Sequence, residues 1–225
     1  LFLSSCSQEV PTETPTEVIP QSLEVPTETP TEVTPQSPEV IPEVETVTRN
    51  GLIYHQLSTE PLTGTVVSFY DNGRLKERST YKDGGKEGLQ EGFYENGQLE
   101  SKGNLRDGEE DGLWESFHEN GQLWGRENYK DGEFDGHYEY FHENGQLWGR
   151  GNYIDGVPDG LHEGFHENGQ LRERENLIDG KLNGLSETFY ENGQLQERGN
   201  YKDGKEDGLW EFYYENGQLL GRGNY

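Results

Sequence analysis

Seven Asn-Gly pairs, at Asn72, Asn96, Asn120, Asn144, Asn168, Asn192 and Asn216, follow one another at a strict spacing of 24 residues. Six Asp-Gly pairs alternate with them, from Asp83-Gly84 to Asp203-Gly204, each followed four residues later by another glycine. A period held without one insertion means that every copy meets its neighbours in the same way, so residues 64–225 must build a repeat array. The composition agrees: only 28% of the 225 residues are hydrophobic, too few for one large core.

Asn-Gly between short alternating runs is a hairpin signal, because Gly, and to a lesser degree Asn, accepts positive φ cheaply. Each unit then holds two strands, as in 123–129 and 137–142, joined through the Asp-Gly-x-x-x-Gly turn. The expected fold is all-β: an elongated antiparallel meander or solenoid of about fifteen strands, each unit advancing the sheet by roughly 10 Å. Register sets which side chains share a face. A two-residue loop would pair Glu115 with Arg126 and its equivalents. A three-residue Glu-Asn-Gly loop would pair Phe117 with Leu123, and it is favoured here because Leu113, Phe117, Leu123 and Tyr129 would then form an apolar stripe. Burying such residues stabilises by about 1.5–3 kcal/mol each, against ~0–1 kcal/mol for an exposed ion pair. Structural turns are expected at Asn120-Gly121 and Asn144-Gly145.

An [E/D]-N-G-x-L hairpin alternating with a D-G-x-x-[D/N]-G turn resembles the variant MORN repeat over residues 64–225. The lead-in RNGLIYHQLSTEPLTGTVVSFYDNG, residues 49–73, resembles the opening of bacterial repeat proteins of the YwqK antitoxin family. The resemblance implies a non-enzymatic interaction scaffold, with a toxin-neutralising module or a passive spacer as the alternatives. The basic lipid-binding face proposed for some MORN proteins is missing from this chain.

The first 49 residues are a different material. Residues 1–48 hold nine Glu and no Lys or Arg, and eight of the ten prolines lie between Pro11 and Pro42. VPTETPTEVIPQSLE at 10–24 returns as VPTETPTEVTPQSPE at 25–39. Such a segment buries too little apolar surface to offset its ordering entropy and favours polyproline II, so residues 7–49 are expected to form a disordered acidic tether. It would average roughly 35 Å end to end and stretch to about 130 Å. Before it, Leu3-Ser4-Ser5-Cys6 reads as a lipobox closing a signal-peptide remnant at residues 1–6, with Cys6 the chain's single cysteine and acylated. The expected location is the bacterial cell envelope, the outer membrane in a Gram-negative source. The array is expected over residues 50–225.

With 18 Lys+Arg against 44 Asp+Glu, the electrostatic footprint of a nucleic-acid binder is missing. His118, His142 and His166 occupy one position in three successive units; at roughly 10 Å spacing along the sheet they cannot share a metal whose ligands lie about 2 Å away. The Asp-Gly turns lack the 9-residue period and the terminal Glu of calcium loops. The glutamates recur in every unit, whereas catalysis needs a singular pair. No catalytic residue, metal or cofactor is therefore expected. The candidate binding face is aromatic: Trp114, Trp124, Arg126, Tyr138, Tyr140, Trp148 and Arg150, expected together on the face opposite the Phe/Leu stripe, for a protein or glycan partner. LLGRGNY at 219–225 precedes the next expected turn and suggests an edge that pairs with a second copy.

The lipidation reading is checked directly. With a signal sequence placed ahead of residue 1 in a bacterial host, the protein is expected to partition into detergent and carry acyl mass, and Cys6→Ala to lose both. Equal solubility with no added mass on the parent would remove the anchor.

Overall fold

The computed structural model describes residues 40–225; Cys6, the lipobox and the tether up to residue 39 lie outside the described residues. Nineteen strands form one long sheet, and a two-stranded hairpin, Thr46–Arg49 with Leu52–His55, stands beside its first unit. From Gly64 onward each long strand pairs antiparallel with the long strands before and after it in sequence, the meander that the period implies.

Two kinds of turn set the rhythm. At Asn120-Gly121 the Gly121 N–H donates to the His118 carbonyl at 2.8 Å and Gly121 takes φ +83°, so the loop is the three-residue form with a left-handed glycine. Asn120 stays outside the left-handed region; its Oδ1 accepts from the Gln122 N–H at 2.9 Å. Asn144 does the same for Gln146 and also donates to the Glu167 carbonyl of the next unit at 2.8 Å. The two-residue turn falls instead at Asp-Gly: Asp131 and Gly132 have φ of 49° and 79°, between directly paired Lys130 and Glu133. Two consecutive positive φ values are the mark of a type I′ turn, where Asp is tolerated and Gly is strain-free.

The loop places Phe117 opposite Leu123, yet Arg126 also faces Glu115. Both registers coexist because Trp124 is an unpaired bulge residue: the ladder passes from Leu123–Phe117 to Gly125–Ser116. The slip recurs at Trp148 and Arg172 in the following units. It corrects the expected faces, since one residue of slip inverts everything beyond it. Tyr129 leaves the stripe and lies against Trp114, ring centroids 6.4 Å apart. Arg126 and Arg150 move to the Phe/Leu face, over the rings of Phe141 and Phe165 at 5.8 and 5.7 Å.

On that face the arginines complete an unbroken alternation across the strands: Glu91, Lys102, Glu115, Arg126, Glu139, Arg150, Glu163, Arg174, Glu187, Arg198, Glu211, Arg222. Glu163 is gripped from both sides, by Arg150 at 2.5 Å and Arg174 at 2.9 Å. A second row ties unit to unit through the residue after each phenylalanine. Tyr94 donates to the Phe117 carbonyl at 2.7 Å, and the rings of His118, His142 and His166 occupy the same place, with Nε2 3.3, 3.2 and 2.9 Å from the next unit's carbonyl. A carbonyl only accepts, so each Nε2 carries its proton and these histidines stand in for tyrosines.

Apolar burial is concentrated at the start. Residues 40–49, expected within the tether, are ordered: Val40–Pro42 pairs in parallel with Thr65–Val67. Ile41, 3% exposed, packs with Leu62 and Val66 against Ile53 and Tyr81. Pro42 at the end of a sheet-edge strand costs no ladder bond there, so proline content alone misplaced the boundary. Farther on, Trp210 is also 3% exposed, lying across Gly199 of the neighbouring strand, where a Cβ would overlap the indole. Gly199→Val is expected to destabilise the fold by about 1–3 kcal/mol through overpacking. Gly149→Val, whose Cβ would meet only the Glu163 carbonyl at 3.5 Å, is expected to stay within about 0.5 kcal/mol. Urea unfolding of both variants distinguishes these outcomes.

Candidate functional site

The face opposite the charge row carries the aromatics. Tyr140 stands between the two bulge tryptophans, with ring centroids 5.2 Å from Trp124 and 5.7 Å from Trp148. Tyr138 follows on the same side of its strand, 5.2 Å from Tyr140 and 5.4 Å from Tyr153. The phenols are fixed from beneath: Tyr140 donates to Glu127 Oε1 at 2.6 Å, and the Tyr138 hydroxyl lies 2.9 Å from His162 Nδ1. His162 Nε2 lies 3.1 Å from the Asn152 carbonyl and so carries the proton, which leaves Nδ1 to accept from Tyr138. Burial lowers the His162 pKa, in keeping with a neutral ring, and pushes Tyr138 up to about 12. These rings are held as phenols in set positions.

Beyond Tyr140 the face opens. Gly149 pairs directly with Tyr140 on one side and Gly164 on the other, and Gly164 pairs with Glu173. Gly149 leaves bare backbone beside the Tyr140 ring, while the Glu173 carboxylate and the Arg172 guanidinium reach over Gly164, and between them lies a cleft of about 350 Å³. Tyr138, Tyr140 and Trp148 wall one side; Arg172, Glu173 and Glu175 wall the other. Tyr153 and His162 also line it. Its shape follows from which side chains are missing.

The acidic wall is unevenly satisfied. Arg172 bonds Glu173 at 2.7 Å and lies 6.0 Å from the centre of the Trp148 ring. Glu175 has no cationic partner among the described residues, only the Ser186 hydroxyl at 3.4 Å. Burial first, then Glu173, raise its pKa above the ordinary carboxylate value. Glu211, gripped by Arg198, Arg222 and Tyr213 in the charge row, is held down at about 2.

Of the residues picked from sequence, Tyr138, Tyr140 and Trp148 meet at the cleft. Trp124 backs Tyr140 from the far side, and Trp114 lies across Gly103, its Nε1 donating to the Asn104 carbonyl at 3.2 Å. Arg126 and Arg150 are on the other face. Gly149, Gly164, Tyr153, His162, Arg172, Glu173 and Glu175 were missed. Neither cleft glycine is singular, since Gly149 recurs as Gly125 and Gly221 and Gly164 as Gly92; the available signal was that the two fall on adjacent strands. The aspartates of the turns serve the structure instead, since Asp135 Oδ1 and Asp159 Oδ2 accept from the N–H groups of Asp155 and Asp179 in the next unit, at 3.4 and 3.3 Å. Among the described residues no group of three or more His, Cys, Asp or Glu is placed to hold a metal ion.

The two glutamates have opposite pH signatures. Glu211, lowered in the folded chain, stabilises it above the ordinary value of 4.5, and that contribution is lost as pH falls toward 2. Glu175, raised, favours the folded chain below its ordinary value, and that contribution is lost as pH rises. Glu175→Gln is expected to raise Tm near neutral pH, the difference closing in acid, and Glu211→Gln to lower it near neutral pH. Thermal melts across pH check both signs.

Residues 62–83, 86–107, 110–131, 134–155, 158–179, 182–203 and 206–225 each match the MORN repeat variant family. No curated protein matches the chain. The first six matches end on the aspartate of a type I′ turn, so the family's unit and the structural unit coincide. Seven tandem matches cover more than half of the sequence in step with the hairpins, bulges and turns described above, and the chain belongs to the MORN repeat variant family.

Proposed function

We propose that this protein is a non-enzymatic binding scaffold of the bacterial cell envelope, anchored by lipid at Cys6 and presenting the central units of its array to a protein or glycan. The observation that carries the reading is the cleft beside Gly149, where Trp148 stands exposed and the half-buried Tyr138 and Tyr140 are held in fixed positions by hydrogen bonds. Trp148 is 41% exposed, against 3% for Trp210 at a place where the array merely packs. Rigid aromatic side chains around a concave floor give contact area at low cost in conformational entropy. The anchor rests on the lipobox-like lead-in and the solitary cysteine.

The test fills the cleft without disturbing the fold. Full-length protein and Gly149→Val are immobilised and exposed to solubilised envelope fractions. At least a tenfold loss of specifically retained material in the variant is expected. Equal retention by both would place binding elsewhere or remove it.

A further inference from the structure

Resting on that reading, we propose that the cleft receives a cationic side chain, Lys or Arg, from a basic polypeptide segment, seated between the aromatic wall of Tyr138, Tyr140 and Trp148 and the carboxylates of Glu173 and Glu175. Three observations converge on this chemistry. First, the aromatic wall offers π faces, which attract cations and do so more strongly when water is displaced. Second, the opposite wall has a carboxylate to spare: Glu175 is half-buried and has no cation beside it among the described residues, unlike Glu163 and Glu211 in the charge row. Leaving a half-buried carboxylate without a counter-charge is costly, and an incoming ammonium or guanidinium relieves that cost.

Third, the molecule already seats a cation at the mouth of this cleft. The Arg172 guanidinium lies 6.0 Å from the Trp148 ring centre while bonding Glu173 at 2.7 Å. The deeper carboxylate, Glu175, pairs across the strands with His162, whose neutral ring bonds Tyr138, and has no cation of its own among the described residues. Gly149, where an added Cβ would meet only the Glu163 carbonyl at 3.5 Å, gives the stem of a long side chain room to enter beside the Arg172–Glu173 pair that covers Gly164. The chain's formal net charge of −26 favours approach of a basic partner and disfavours an acidic one. A neutral glycan would use the same rings but would leave Glu175 unpaired.

Because any polycation adheres to so acidic a protein, the test must separate the cleft from bulk charge. Full-length protein is titrated calorimetrically with tetralysine amide, with the isosteric tetranorleucine made soluble by a neutral tag, and with chitotetraose. Saturable 1:1 binding of tetralysine is expected, weakened at least tenfold by Glu175→Gln and by Gly149→Val, and less than about twofold by Glu206→Gln, which removes the same charge at an exposed site outside the cleft. Equal weakening by Glu175→Gln and Glu206→Gln overturns the proposal, as does binding that survives Gly149→Val. Chitotetraose binding that Gly149→Val abolishes and Glu175→Gln spares would also overturn it, while leaving the cleft a binding site. Urea unfolding of Glu175→Gln guards against loss through misfolding.

Discussion

Register is the constraint on which everything else in this array depends. The left-handed glycine of each Asn-Gly loop pins Phe opposite Leu, and the single unpaired residue that follows shifts the ladder so that Glu and Arg face each other as well. A sheet with one loop length would have had to choose between an apolar stripe and an ionic row. The bulge permits both on one face, and it sends the next residues of the strand to the other. The charge row, the ring over each guanidinium and the position of the aromatic face all follow from that one residue per unit.

The opposite face is governed by volume. Along the row shared by neighbouring units, Gly103 lies under Trp114, Gly151 under His162 and Gly199 under Trp210, whereas Glu127 accepts from Tyr140 and Glu175 from Ser186. Large side chains take the space that glycines leave. Gly149 departs from this arrangement: it opposes Gly164, which the Arg172–Glu173 pair covers, and an added Cβ on Gly149 would meet only the Glu163 carbonyl at 3.5 Å. In an array of near-identical units, such a gap is the distinguishing mark, and it coincides with an exposed ring and an unpaired acid.

With few fully buried apolar residues among those described, the array is sustained by interactions that recur. Tyrosine or histidine reaches the next unit's carbonyl at one edge, and the glycine of each I′ turn donates to the unit before it at the other, as Gly132 does to Glu110 at 3.0 Å. Each net hydrogen bond contributes only about 0.5–1.5 kcal/mol, but the row repeats with every unit. A repeat protein stabilised by nearest-neighbour terms can leave one unit imperfectly packed without losing its neighbours. That tolerance is what allows an open cleft in the middle of the sheet.

The period, the two turns, the all-β class and the three-residue loop were legible in the sequence, because positive φ every twelve residues or so demands Gly, Asn or Asp at fixed places. Tyr138, Tyr140 and Trp148 could be picked as candidates because aromatics concentrate in the central units beyond what the repeat itself requires. The faces could not be assigned, since nothing in Leu-Trp-Gly-Arg announces that Trp124 is unpaired, and a one-residue slip reverses the alternation for Arg126, Arg150 and Tyr129. Nor could the strand at Val40–Pro42, whose order depends on an apolar pocket formed by residues more than ten positions away, Leu62 and Val66. The cleft itself was decided by pairing across strands: Gly149 and Gly164 are 15 residues apart in sequence and come to line one cleft only when the ladder sets them face to face.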